Sequence, residues 1–225
     1  AVPTFKSNSN MTAAHAQSAR HRSMITFLGT EDGIGVLRGN SPMIDPLSRD
    51  RIELVPVSVS PTAPNAMVAA HNPLMKVPTL ERDGGAPLFD SAVICEYLDV
   101  LGRGALFPRE GERRWEALRL QALADGVMDA ALLLRYETFA RPEPLRWNEW
   151  IAGQRLKIAQ ALDHLDVQRR DPGQPLHIGD ITIACALGYL DLRFADDKWR
   201  DRCANLARWF DTISKRESFR GTSPA

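Results

Sequence analysis

The chain has 225 residues, 44% hydrophobic and 25% charged, enough for one large or two small packed domains and unlike a disordered composition. Lysine plus arginine and aspartate plus glutamate both number 28, so no overall charge favours nucleic acid or another polyanion. No apolar run reaches the length of a membrane span and the opening AVPTFKSNSN lacks an apolar signal core, which together predict a cytoplasmic protein with no membrane partner.

The first fifty residues admit two registers. In the favoured one, Val2–Lys6 is a strand and Thr12–Leu28 a helix, opened by a capping threonine and stopped at Gly29. Residues 29–50, with Gly29, Gly33, Gly35, Gly39, Pro42 and Pro46, then form a long divergent or inserted loop. In the rival register Ile25–Leu28 is the first strand and the preceding residues are an added arm.

Arg51–Ser58 (RIELVPVS) predicts a strand, and the Pro- and Ala-rich stretch Ser60–Asn72 an irregular helical turn. Val77–Arg82 and Ala86–Phe89 flank Asp83-Gly84-Gly85, a hairpin signal. Ser91–Leu101 has helical spacing and stops at Gly102. Beyond that the strand signals vanish. Helices are predicted over Glu110–Tyr136, Trp147–Gln168, Asp180–Leu192 and Asp201–Ser214, with breaks at Pro142, Pro144 and Asp171-Pro172-Gly173. The organisation is an α/β unit over 1–102, a linker at Gly102–Pro108 and an all-helical unit over 109–225.

Cys95, Cys185 and Cys203 show no CxxC or metal-type spacing and read as reduced, buried small hydrophobes; no metal site is expected. The chemistry concentrates in NPLMKVPTLERDGGAPLFDSAVICEYL, residues 72–98. Pro78 at the entrance to a strand removes a ladder donor, and a cis bond there would offer the Val77 N–H and C=O to an extended peptide ligand. Asp90-Ser91 stands where a strand gives way to a helix. Free amides and the positive dipole end suit a carboxylate there, the Ser91 hydroxyl can join it, and Asp90 can hold an ammonium.

NPLMKVPTL followed by LFDSAVICEYL resembles the glutathione-binding half of the glutathione transferase superfamily. The resemblance implies a thioredoxin-like domain leading into a helical domain. It also implies that Val77 and Pro78 pair with the cysteinyl backbone of glutathione, while Asp90 and Ser91 grip its γ-glutamyl end. RRWEALRLQALADGVMDAALLLRYE is similar to the first long helix of bacterial members, near the YibF-like branch. LHIGDITIACALGYLDLRF resembles the helix that begins with the family's capping box, with Asp180 in place and His177 where Ser or Thr is usual.

Bacterial relatives carry a motif such as SPxSPFxRKV after the first strand, with a Ser or Cys acting on the glutathione sulfur; this chain has Ser7-Asn8-Ser9-Asn10-Met11-Thr12. Ser9 and Thr12 are the candidate hydroxyls in the favoured register, Ser9 first, and Thr30 in the other. Such a donor lowers a thiol pKa from about 8.5. Arg135, Tyr136, Trp147 and Trp150 are candidates for lining a pocket for a second, hydrophobic substrate. The resemblance implies a homodimeric transferase that adds glutathione, its co-substrate, to a hydrophobic electrophile. The alternative is a glutathione-binding or adaptor protein of the same fold with little or no activity.

Overall fold

The computed structural model describes residues 25–29 and 52–220, apart from 83, 103 and 169. The strands are β1 (Ile25–Gly29), β2 (Ile52–Pro56) and β3 (Thr79–Arg82), in the order β2-β1-β3. β1 runs parallel to β2, Ile25 beside Ile52 and Gly29 beside Pro56, and antiparallel to β3, Ile25 beside Arg82 and Leu28 beside Thr79.

This corrects the favoured reading of the N-terminal region. Ile25–Leu28 is not the end of a helix but most of the central strand. The Ala-, Gln- and Arg-rich run before it suggested a helix running on to Gly29. Pairing on both edges outweighs that local preference in the β-branched and aromatic stretch ITFL. β1 and β2 run parallel, an arrangement that a tight two-residue turn cannot connect. The expected strand at Val2–Lys6, the start of the expected helix and most of the expected loop lie outside the described residues.

α1 (Ala66–His71) is capped by the Asn65 side chain, which accepts from the Met67 and Val68 amides. A hairpin follows β3, but its second arm is reduced to one bridge, in which Leu80 and Leu88 exchange two backbone hydrogen bonds of 2.9 Å. α2 (Ser91–Leu101) then packs Ile94 and Leu98 against Leu80.

The helical unit is α3 (Gly111–Arg135), α4 (Asn148–Val167), α5 (Ile178–Arg193), α6 (Trp199–Arg202), α7 (Ala204–Ile213) and α8 (Glu217–Arg220). The expected single helix at Asp201–Ser214 is interrupted at Cys203, whose backbone (φ −112°, ψ 66°) is not helical. Leu120, Leu134, Leu162, Leu165, Leu187 and Leu206 share its core, a thickness of apolar burial that carries the stability of such bundles.

A second core joins the two units. Leu80, Ile94 and Leu98 pack with Phe107 of the linker, Ala117 of α3, and Ile178 and Ile181 of α5. Asp99, buried at the end of α2, accepts from the Leu106 and Phe107 amides at 3.2 Å each, and the Leu106 carbonyl accepts from Ile178 N–H at 2.8 Å. Gly104 is required beneath this latch, because a Cβ there would lie 2.0 Å from Asp99 Oδ1. The fold is therefore a thioredoxin-like unit locked onto a helical one. No described helix is long and apolar enough to cross a membrane.

Candidate functional site

The site grows from one end of the sheet. The pairing of Leu28 with Thr79 sets the C-terminal end of β1 beside the start of β3, just after Val77-Pro78. Pro78 and Asp90 each stand two residues beyond the Leu80–Leu88 bridge, on the side away from the hairpin turn. Two motifs separated in sequence thus belong to the same end of the hairpin, outside the carboxyl end of a parallel strand pair, where open α/β sheets place their ligands.

The Val77–Pro78 peptide bond is cis, as is Phe89–Asp90. Among the described residues no hydrogen bond takes the Val77 N–H or C=O. The turn is braced from beneath by two residues that sequence reasoning missed. Asn72, buried at the end of α1, donates through Nδ2 to Lys76 O at 3.0 Å and to Thr79 Oγ1 at 3.2 Å. Its Oδ1 accepts from Leu74 N at 3.0 Å, and Thr79 Oγ1 donates to Lys76 O at 3.0 Å. Asn followed by Pro is a turn signal, but nothing local announces that this side chain reaches Thr79.

Asp90 is the N-cap of α2 and accepts from Ala92 N at 3.1 Å. The Ser91 hydroxyl and the Ser91 and Val93 amides have no hydrogen-bond acceptor among the described residues. A half-buried hydroxyl and two amides at the positive end of a helix are suited to a carboxylate, and the Asp90 charge beside them to a cation.

The middle of α3 adds a second acidic group. Burial pushes the Asp125 carboxyl up to about 6, and the charges of Asp90 and Asp129 push it the same way. Cys95, one turn into α2, is pushed up to about 12 by burial and then by Asp125, Asp90 and Asp99. Burial also raises Cys185, with smaller contributions from Cys95 and Asp125, and it raises Cys203. The three thiols are free and protonated at neutral pH, so none is a thiolate nucleophile. No group of three His, Cys, Asp or Glu suited to a metal occurs among the described residues.

Ser9, Thr12 and Thr30 lie outside the described residues. The register that put Ser9 first is the one overturned by β1; Thr30 is the residue that directly follows this strand.

The residues expected around a second substrate occupy the far end of α3 and the start of α4. α3 passes into a π-helical turn at Tyr136–Ala140, a distortion common at functional sites. Arg135 covers the ring of Phe139 at 4.7 Å, and the Trp147 and Trp150 rings stack with centroids 6.1 Å apart. Phe139, Leu145, Trp147 and Trp150 are all exposed. Glu137 is buried and ties this corner, accepting from Trp147 N at 2.8 Å and Arg141 Nε at 2.9 Å. Those bonds, the backbone one foremost, hold its carboxyl below the ordinary glutamate value.

Comparison with known proteins meets the same two halves. Residues 49–101 match the family model for the glutathione S-transferase N-terminal domain, and residues 148–212 that for the C-terminal domain. The chain is 35% identical over 161 residues to the uncharacterized GST-like protein YibF of Escherichia coli (strain K12), covering 70% of this chain and 79% of the relative. A glutathione transferase family member from Pseudomonas fluorescens Pf-5, solved with bound glutathione, superposes with a TM-score of 0.83 at 39% identity, covering 89% of this chain and 99% of the other. A glutathione S-transferase from Methylobacillus flagellatus KT, also with glutathione bound, gives a TM-score of 0.77 at 32% identity, covering 89% and 100%.

Proposed function

Because the chain belongs to the glutathione S-transferase family, we propose that it binds glutathione at the β1–β3 end of the sheet and adds its thiolate to a hydrophobic electrophile. The observation that carries this reading is the set of open groups at that end: the Val77 N–H and C=O, the Ser91 hydroxyl, and the Ser91 and Val93 amides. An extended tripeptide uses them in order. Its cysteinyl backbone pairs with Val77 beside Pro78, and its γ-glutamyl carboxylate is taken by Ser91 and the first turn of α2. Its ammonium lies toward the carboxylate of Asp90, and the charge of Asp125 strengthens the same end.

In this pose the sulfur points past the end of β1. We assign the thiol-activating hydroxyl to Thr30, the first residue after that strand, ahead of Ser9 and Thr12. A hydroxyl donated to sulfur favours the thiolate and acts mainly on the reactive state. Holding the thiolate and a bound electrophile together supplies the rest, with no proton shuttle required. The exposed aromatic corner of Phe139, Trp147 and Trp150 is the surface we assign to the electrophile. The two units divide at the linker after 102. A homodimer in a reducing, cytoplasmic setting belongs to the same reading, as the commonest closed assembly.

Titration calorimetry with glutathione tests the binding half. Saturable binding below millimolar concentration is expected, and none at all at millimolar glutathione would sink the proposal. Binding without turnover of any electrophile would favour the adaptor reading instead.

A further inference from the structure

His177 is the N-cap of α5 and is buried. Its Nδ1 accepts from the Asp180 amide at 3.3 Å, an amide that also reaches His177 O at 3.0 Å, and its own N–H donates to Asp180 Oδ2 at 3.0 Å. A serine or threonine performs the same cap with an uncharged oxygen. An imidazole does so only while neutral, with its proton on Nε2.

We propose that this histidine makes the joint between the two units acid-labile: protonating His177 uncaps α5 and loosens the helix start that locks the helical unit to the sheet unit. The path is short. Ile178, next in sequence, donates to Leu106 O, and Ile178 and Ile181 close the core around Leu80, Ile94 and Leu98. A Cβ at Gly179 would lie 2.6 Å from Leu120 Cβ and 2.7 Å from Ala117 O, so the helix start has no room to shift.

The charges around the ring decide whether protonation is resisted. Asp180 of α5 attracts a proton, its Oδ2 being 3.3 Å from Nδ1, and Glu116 of α3 acts in the same direction. Arg170, before α5, and Arg113 of α3 oppose it, and Arg170 already holds Asp180 Oδ1 in a close, buried ion pair. Burial opposes it most, and the ring is left more acidic than a free histidine at 6.5. The unfolded chain therefore takes up this proton before the folded one. The contribution of His177 is whole above pH 6.5 and is lost as pH falls below it.

The experiment follows the full-length protein from pH 7.5 to 5.5. The wild type is compared with His177→Asn, which keeps a cap oxygen that does not titrate. Thermal midpoints should fall more steeply in the wild type, and deuterium exchange at Asp180 and Ile181, corrected for intrinsic pH dependence, should accelerate several-fold only there. Parallel midpoint curves and equal exchange would overturn the proposal. NMR titration of the His177 ring in the wild type needs no variant: a midpoint below 6.5, tracking the faster exchange, is expected. A midpoint at or above 6.5 would refute the idea even if the variant failed to fold.

Discussion

The Asn72 side chain donates to Thr79 Oγ1 at 3.2 Å, with both residues buried, and so fixes the turn that carries Val77-Pro78. Asn72→Ala removes that bond, the one to Lys76 O and the acceptor for Leu74 N. Leaving such groups unpaired in the interior costs about 1–3 kcal/mol. The variant should melt earlier and bind glutathione more weakly. Thr79→Ser, which keeps the hydroxyl, should do neither to a comparable extent.

Ser91→Ala isolates the proposed carboxylate contact. The hydroxyl holds no acceptor among the described residues, so its loss should barely alter the thermal midpoint without ligand. Glutathione affinity should fall by about 1–3 kcal/mol by calorimetry. Unchanged affinity would remove Ser91 from the site.

Asp125 carries a cost the fold bears at neutral pH. Its carboxyl titrates at about 6 in the folded chain against 3.8 for the free group, so the folded state holds this proton at higher pH than the unfolded state does. The penalty is fully present above about pH 6 and fades as pH falls toward 3.8. Asp125→Asn should therefore stabilise the protein at pH 7.5, by about 1–2 kcal/mol after allowance for its partial exposure, and by less at pH 5. Calorimetric melting at the two pH values measures the difference, and equal gains at both would count against the assignment.

Gly179→Ala tests the close approach of α5 to α3. With Leu120 Cβ and Ala117 O both under 3 Å from the new methyl, overpacking should cost about 1–3 kcal/mol in denaturant unfolding. Gly153, where a Cβ meets nothing within 4 Å, provides the contrast: alanine there should be neutral or stabilising.

Activity with chloro-nitroaromatic electrophiles should be weak, because no string like SPxSPFxRKV, the hydroxyl motif that the resemblance leads one to expect, occurs in the sequence. Within that activity, Thr30→Ala should lower kcat while sparing glutathione affinity, and Ser9→Ala should leave both unchanged. The reverse pattern would return the activating role to Ser9, and a lone effect of Thr12→Ala would pass it to Thr12.

Much of this was legible in the sequence because the signals are local. α2 begins and ends where Asp90 and Gly102 say it should, since a cap and a stop act within a turn. The parts that were hidden are those whose cause lies far away in the chain. β1 is a strand because β2 and β3 flank it, and the residues before it argued for helix. The Asn72–Thr79 brace, the crowding at Gly179 and the acidity shift of Asp125 all depend on neighbours brought near only by folding.

The shared core also governs how the molecule is born. Leu80, Ile94 and Leu98 face Ile178 and Ile181, which follow them by the whole of α3 and α4. A ribosome making the chain releases the sheet unit first, with this apolar face still bare until α5 arrives. The sheet unit must then wait as an incomplete intermediate, open to chaperones and proteases. Its completion depends on the last third of the polypeptide.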